Sequence, residues 1–201
     1  MELEKAIDQI SAIHGYLARS EVYRGYRSLP MAVAGGLALG AAAVQQTFFP
    51  PRDDLEYVRY WVLVAAICGA LSSSEIVFNY IFREDRCCRS RTRRVVGQFV
   101  PCLAAGALIT ALLAQGDAGS LQWVPGLWAM VFGLGVFSSR PYLPHATGYV
   151  GLFYVLAGAL LLLLGTEGAA LSPWSVGGTF GAGQLLLALV LYWNIERRDH
   201  A

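Results

Sequence analysis

Charge is what this chain has little of. Only 14% of its 201 residues are charged, against roughly 25% in an ordinary soluble domain. The charges that remain are segregated: Arg and Lys gather in residues 1–28, 83–94 and 197–198, with long apolar stretches between. Hydrophobic residues make up 56% of the chain and the mean hydropathy is +0.48. That combination excludes a greasy soluble core and describes a polytopic membrane protein. A net charge of +1 leaves no basic excess to point at nucleic acid.

Other shortages narrow the chemistry. Of four cysteines, Cys68 and Cys102 fall in apolar runs and Cys87–Cys88 among arginines, so neither a disulfide framework nor a paired CxxC zinc site is spelled out. Cys87 and Cys88 have the electropositive setting of redox-sensitive thiols, although adjacent cysteines are more often incidental. His14, His145 and His200 are scattered outside the apolar runs, which leaves no ligand pair for an intramembrane metal or haem. HExxH, GxSxG and Walker-type loops are missing. The expectation is therefore no catalytic residue, no metal and no cofactor. No cleavable leader is predicted either, because the first apolar run begins at Leu29 behind Glu2, Glu4 and Asp8, whereas a secretory n-region is short and basic. Ala41–Ala43 alone imitates a cleavage site.

What is present is length in apolar runs. A hydrocarbon core about 30 Å thick needs roughly 20 apolar helical residues. Six stretches meet this: about 29–49, 57–82, 96–115, 122–139, 148–165 and 174–194. Pro50–Pro51, Gly116–Asp117, Pro141 with Pro144, and Gly168 to Pro173 punctuate them. Phe48, Phe49, Tyr57, Trp61, Trp123, Trp174, Tyr192 and Trp193 stand near the ends, as interfacial anchors do. The fold class expected is all-α: a six-helix transmembrane domain over 29–195, an amphipathic N-terminal helix over 1–28 before it and a short tail over 196–201.

Loop charges orient the spans. The 83–95 loop carries Arg83, Arg86, Arg89, Arg91, Arg93 and Arg94 against Glu84 and Asp85. The 50–56 loop sets one Arg against Asp53, Asp54 and Glu56, and the loops at 116–121 and 166–173 hold no basic residue. Because Lys and Arg collect in cytoplasmic loops, both termini, the arginine loop and the turn at Arg140 are expected in the cytoplasm. Topology alone accounts for the arginines; lipid or partner binding is the further use open to them.

In residues 1–28, Leu3, Ala6, Ile10, Ile13 and Leu17 form one stripe at helical spacing. Acidic residues lead and Arg19, Arg24 and Arg27 follow, which complements a helix dipole. Helices that lie on anionic lipid are usually basic along the polar face, and the first turns here are acidic. Docking on protein is expected instead, whether on the arginine loop, a neighbouring subunit or an outside partner. A polar cap that merely orients the first span is the plainer alternative.

Polar residues inside the spans supply the candidate site. Ser72, Glu75 and Asn79 are spaced i, i+3, i+7 and share one face of the second span, which Gly69 extends. A charge deep in the bilayer costs about 2.5–3.5 kcal/mol on insertion scales. Glu75 should therefore be protonated, paired or facing a wet cavity, with Gln184 of the sixth span, Thr110 and Gln98 of the third, and Arg27 or Arg140 as possible partners. A hydrogen bond that only ties helices together is the competing reading. Gly36 with Gly40, and Gly177 with Gly181, form GxxxG pairs that predict close helix contacts. Pro30–Gly40 and Pro125–Gly135 share a spacing that hints at two inverted three-helix halves.

The stretch "LQWVPGLWAMVFGLGVFSSRPYLP" (121–144), with the leader "EVYRGYRSLP" (21–30), resembles a loose group of uncharacterised bacterial membrane proteins. The resemblance covers most of the chain and implies six spans behind a short cytosolic helix in a bacterial plasma membrane. Its motifs are structural and transfer no catalytic or ligand residue. It also implies a regulatory or sensory setting, since relatives are encoded near small winged-helix regulators. Two functions then compete: a non-enzymatic complex-forming component that engages a protein partner or further copies of itself, with membrane lipids around it, or a small transporter or channel with Glu75 as coupling carboxylate.

Overall fold

The computed structural model describes residues 28–82, 86–116, 119–165 and 171–197. For residues 75–82, 86–92, 94, 95, 142, 195 and 196 it describes the backbone alone. The expected N-terminal helix, Arg83 and most of the 196–201 tail lie outside the described residues.

Helix fills almost all of what is described, and no strand occurs among the described residues. The helices are α1 (Ser28–Phe48), α2 (Asp54–Phe82), α3 (Arg86–Leu113), α4 (Val124–Ser139), α5 (Thr147–Gly165) and α6 (Pro173–Leu191). Among the described residues, six helices are long and apolar enough to cross a membrane, and the chain is a multi-pass membrane protein. Short 3₁₀ turns over Ser120–Trp123 and Arg140–Tyr142 precede and follow α4, and α6 runs on through wider π turns at Tyr192–Glu196.

Local chemistry sets the ends. Asp53 Oδ1 accepts from the Glu56 N–H (2.6 Å) while Glu56 Oε2 accepts from the Arg52 N–H (2.9 Å), a close variant of the capping box that starts α2. Ser120 Oγ donates to the Leu113 carbonyl (2.6 Å) and closes α3. Gly119 has φ +92°, a left-handed turn that only glycine enters freely. Ser172 caps α6 ahead of Pro173, which needs no N–H in the first turn. Pro101 stands inside α3, a position that membrane-spanning helices tolerate.

One boundary differs in a way that matters. The arginine loop expected over 83–95 is mostly helix: α3 begins at Arg86, so Arg86, Arg89, Arg91, Arg93 and Arg94 all have helical backbone. The charged run between two apolar runs suggested a loop there, and arginines at a helix start also oppose the dipole. Helical continuity with the apolar run from Val96 prevails.

Consecutive helices run antiparallel. α1 packs most closely on α6 and α4 on α5; α3 leans on α4, α2 on α1 and α5 on α6, and α2 and α3 make few contacts with each other among the described residues. The bundle thus has an arginine end, where α2 meets α3, and a far end, where α1 meets α2. The two tight seams are lined by glycine. A Cβ on Gly177 would lie 2.5 Å from the Ala42 Cβ, and one on Gly158 2.7 Å from the Gly126 carbonyl oxygen.

Two expectations about these contacts change. Gly177 and Gly181 do meet α1, but their counterpart is Gly35 with Ala38 and Ala42; Gly36 and Gly40 face open space. The 100° step per residue puts Gly35 and Gly36 on different faces, and only one of them can meet α6. The two halves also pack differently. The tightest neighbour of α1 is α6, whereas that of α4 is α5, and Gly40 is exposed where Gly135 is buried against Phe99.

Candidate functional site

The loose contact between α2 and α3 leaves a cavity of about 860 Å³ through the middle of the bundle. Met31 and Ala38 of α1, Trp128 and Phe132 of α4, and Val176 and Phe180 of α6 contribute to its wall, with α2 and α3 on its flanks. Leu63 on α2 and Leu103 on α3 border it and are 60% and 55% exposed, so the cleft faces the surroundings between these two helices. No residue of the Val96–Leu113 stretch of α3 is buried, against 44% of the α4 stretch.

Small side chains make this space. Gly69, Ser72 and Ser73 on α2 and Gly106, Ala107 and Ala111 on α3 line it with little bulk. What closes the cavity is aromatic. Phe132 stacks edge-on with Phe99 (5.1 Å) and Phe180 (5.4 Å) and tilted on Tyr154 (4.8 Å), geometries that aromatic pairs favour. Toward the far end, Trp128 Nε1 donates to Thr110 Oγ1 (2.8 Å) and ties α4 to α3.

The site residues expected from sequence divide. Ser72 and Gln184 are both half-buried on the cavity wall. Tyr57 Oη donates to the Ser172 carbonyl (2.9 Å), which puts those two residues at one depth on two helices running the same way. Twelve residues further along each, Gly69 and Gln184 fall level, with Ser72 one turn beyond. Gln184 Oε1 is buried without a hydrogen-bond partner among the described residues. Glu75 and Asn79 occupy the α2 positions three and seven residues past Ser72, and their side chains lie outside the described residues. Of the other residues considered as partners, Thr110 is committed: its hydroxyl donates to the Gly106 carbonyl (2.8 Å) and accepts from Trp128. Gln98 Oε1, like that of Gln184, is buried with no partner among the described residues. Arg140 is exposed beyond the end of α4, and Arg27 lies outside the described residues.

Compared with protein families, with curated proteins and with solved structures, the chain matches none. Its chemistry has to be read from the site itself.

Two aromatic residues expected at the membrane surface are inside the protein instead. Tyr57 is 1% and Trp61 2% exposed, and both pack with Ala42, Val124 and Val176. Phe48, Phe49, Trp174, Tyr192 and Trp193 are exposed at helix ends as anticipated. Period and position cannot separate an interfacial tyrosine from one that pins two helix ends together. The hydrogen bond to Ser172 is what separates them.

Sequence reasoning missed the cavity and with it Arg59, which stands on the wall near the start of α2. The short side chains of α3 carried the available signal. Gly106 meets only the Trp128 ring, 3.9 Å from a Cβ placed there, and Ala107 and Ala111 beside it line the cavity among the described residues.

Proposed function

We propose that this is a non-enzymatic protein of a bacterial plasma membrane, with both termini in the cytoplasm, that works in a regulatory or complex-forming assembly. It engages its partner through the cytoplasmic N-terminal helix and the arginine-bearing start of α3. The observation that carries this reading is the helical course of Arg86–Val95 ahead of the apolar stretch Val96–Leu113. At 1.5 Å per residue, about 15 Å of rigid helix precedes the hydrocarbon-length segment. Arg86 and Arg89 stand in the first turn, where the dipole disfavours a cation by about 0.3–1 kcal/mol at an exposed site. Apposed carboxylates offset that cost. Glu2, Glu4 and Asp8 of this chain, of a second copy, or an acidic partner segment are the candidates.

Arg86, Arg89 and Arg93 fall at i, i+3, i+7 and share one face. Changing these three to Gln, while Arg83, Arg91 and Arg94 keep the orienting charge, should strip the partner from protein purified in mild detergent, read by native mass determination. An unchanged composition would refute the assignment of the partner surface. Orientation has its own check: reporter fusions at 54, 118 and 169 should read as external, and those at 90, 142 and 201 as internal.

One observation favours the second reading, a small transporter or channel. The cavity reaches Ser72 and Ser73, one turn short of Glu75. Its wall is mainly apolar, however, and a proton or cation path needs polar groups or water along its length. Glu75→Gln separates the two. It should leave assembly and stability unchanged in a complex-forming protein and abolish flux in a transporter.

A further inference from the structure

We infer that the cleft between α2 and α3 is a lipid site, which holds one acyl chain of an anionic phospholipid with its phosphate on Arg59. Among the described residues Arg59 is the one charged group on the cavity wall. It stands five residues into α2, about 8 Å from the helix start at helical rise, at the headgroup level of the far end. It pairs with no carboxylate among the described residues. Glu56, one turn back, is occupied by the Arg52 N–H. Beyond Arg59 the wall is mainly apolar, past Val62 and Ala66 to Leu187 and Leu191, with Ser72, Ser73 and Gln184 as its polar interruptions. A free guanidinium at the rim and a long apolar slot beneath it complement an anionic head and its chain.

The cavity is about 860 Å³, within the roughly 300–1,000 Å³ of small-molecule sites, and the guanidinium at its rim favours an anionic occupant. The opening between Leu63 and Leu103 lets a chain enter sideways from the bilayer without leaving hydrocarbon. The site is separate from the arginine-bearing start of α3 and stands whether or not a partner binds there.

The test is native mass spectrometry of the full chain, released from vesicles of phosphatidylglycerol or of phosphatidylcholine. Phosphatidylglycerol should remain as a one-to-one adduct, and phosphatidylcholine should be lost at lower activation. Arg59→Gln should weaken retention of phosphatidylglycerol about tenfold, the worth of one hydrogen bond to a charged group. Gly69→Phe should abolish the adduct while leaving the melting temperature in place, since a side chain at Gly69 meets open space. Overturning results are equal retention of both lipids with Arg59→Gln silent, an adduct that survives Gly69→Phe, or a lipid-free dimer in place of the loaded monomer. The last would mean that a second copy covers the cleft.

Discussion

The two sides of this bundle are held by different means. On one side, α1 with α6 and α4 with α5 approach so closely that glycine seats one backbone against the other. A Cβ on Gly126 would fall 2.8 Å from the Gly158 carbonyl oxygen, and one on Gly35 3.0 Å from that of Gly181. On the other side, α2 and α3 part around a cavity, although both carry small residues at the spacing that usually marks a contact. Helices in lipid gain nothing from hydrophobic association, since acyl chains are as apolar as leucine. Small residues permit close approach and do not compel it. On the tight side, shape complementarity over a whole seam supplies the drive. On the open side, short side chains face each other with nothing to fill the gap, and bilayer can fill it instead.

The largest effect should come from breaking a tight seam. Gly177→Leu puts a side chain where the Ala42 Cβ, the Ala38 carbonyl oxygen and the Trp61 ring all lie within 2.8 Å of its first carbon. Backbone and a buried indole cannot yield, so the melting transition in detergent should fall by about 3 kcal/mol, the upper end for overpacking. Gly158→Leu should do the same on the α4–α5 seam. Gly36→Leu and Gly40→Leu, inside the conventional motif but facing open space, should leave the transition where it is. If all four variants melted alike, the contrast between the two sides would be lost.

A smaller effect tests how α2 is held at all. Tyr57 bonds the Ser172 carbonyl, and Tyr60 Oη donates to the Ala41 carbonyl (2.8 Å). Both bonds lie toward the far end, where α2 joins the tight side. Tyr57→Phe keeps the packing and removes one hydrogen bond, which should cost about 1 kcal/mol. The double change with Tyr60→Phe should cost about twice that if the bonds act independently, and should speed hydrogen exchange in α2 before α1 or α6. Exchange that rises evenly over all helices would mean that α2 is no more loosely held than the rest.

The six spans were legible because membrane length is a one-dimensional signal, and the α1, α5 and α6 boundaries fall within a few residues of the apolar runs. Facing was not legible. Gly35 makes the contact that its neighbour Gly36 was expected to make, because GxxxG spacing specifies a face and not which neighbour takes it. Tyr57 and Trp61 looked like surface anchors, since aromatic type and position are the same whether the ring meets headgroups or another helix. Of the candidate site, Ser72 was found from periodicity and Gln184 as a polar residue inside the sixth span, and the two share a wall. The cavity was invisible for a physical reason. A void is made by what neighbouring helices fail to fill, and that depends on how three or more of them pack.

The smallest effects should fall on α3, and they ask whether its exposed flank meets lipid or protein. Leu103, Leu108 and Leu112 are 55–62% exposed. On a lipid-facing flank each would touch acyl chains in the assembled bundle and in a dissociated helix alike, so Leu→Ala should move stability by less than about 0.5 kcal/mol, as at other surface positions. Leu161→Ala and Leu191→Ala, buried on the tight side at 6% and 0% exposure, should cost about 2–5 kcal/mol each. Paired thermal melts in detergent and in reconstituted bilayers distinguish the outcomes. A cost of 2 kcal/mol or more at Leu108 or Leu112, well above the surface value, would mean that α3 is covered by protein in the working assembly. The open side would then be an interface between chains, and its loose packing a property of the single chain alone.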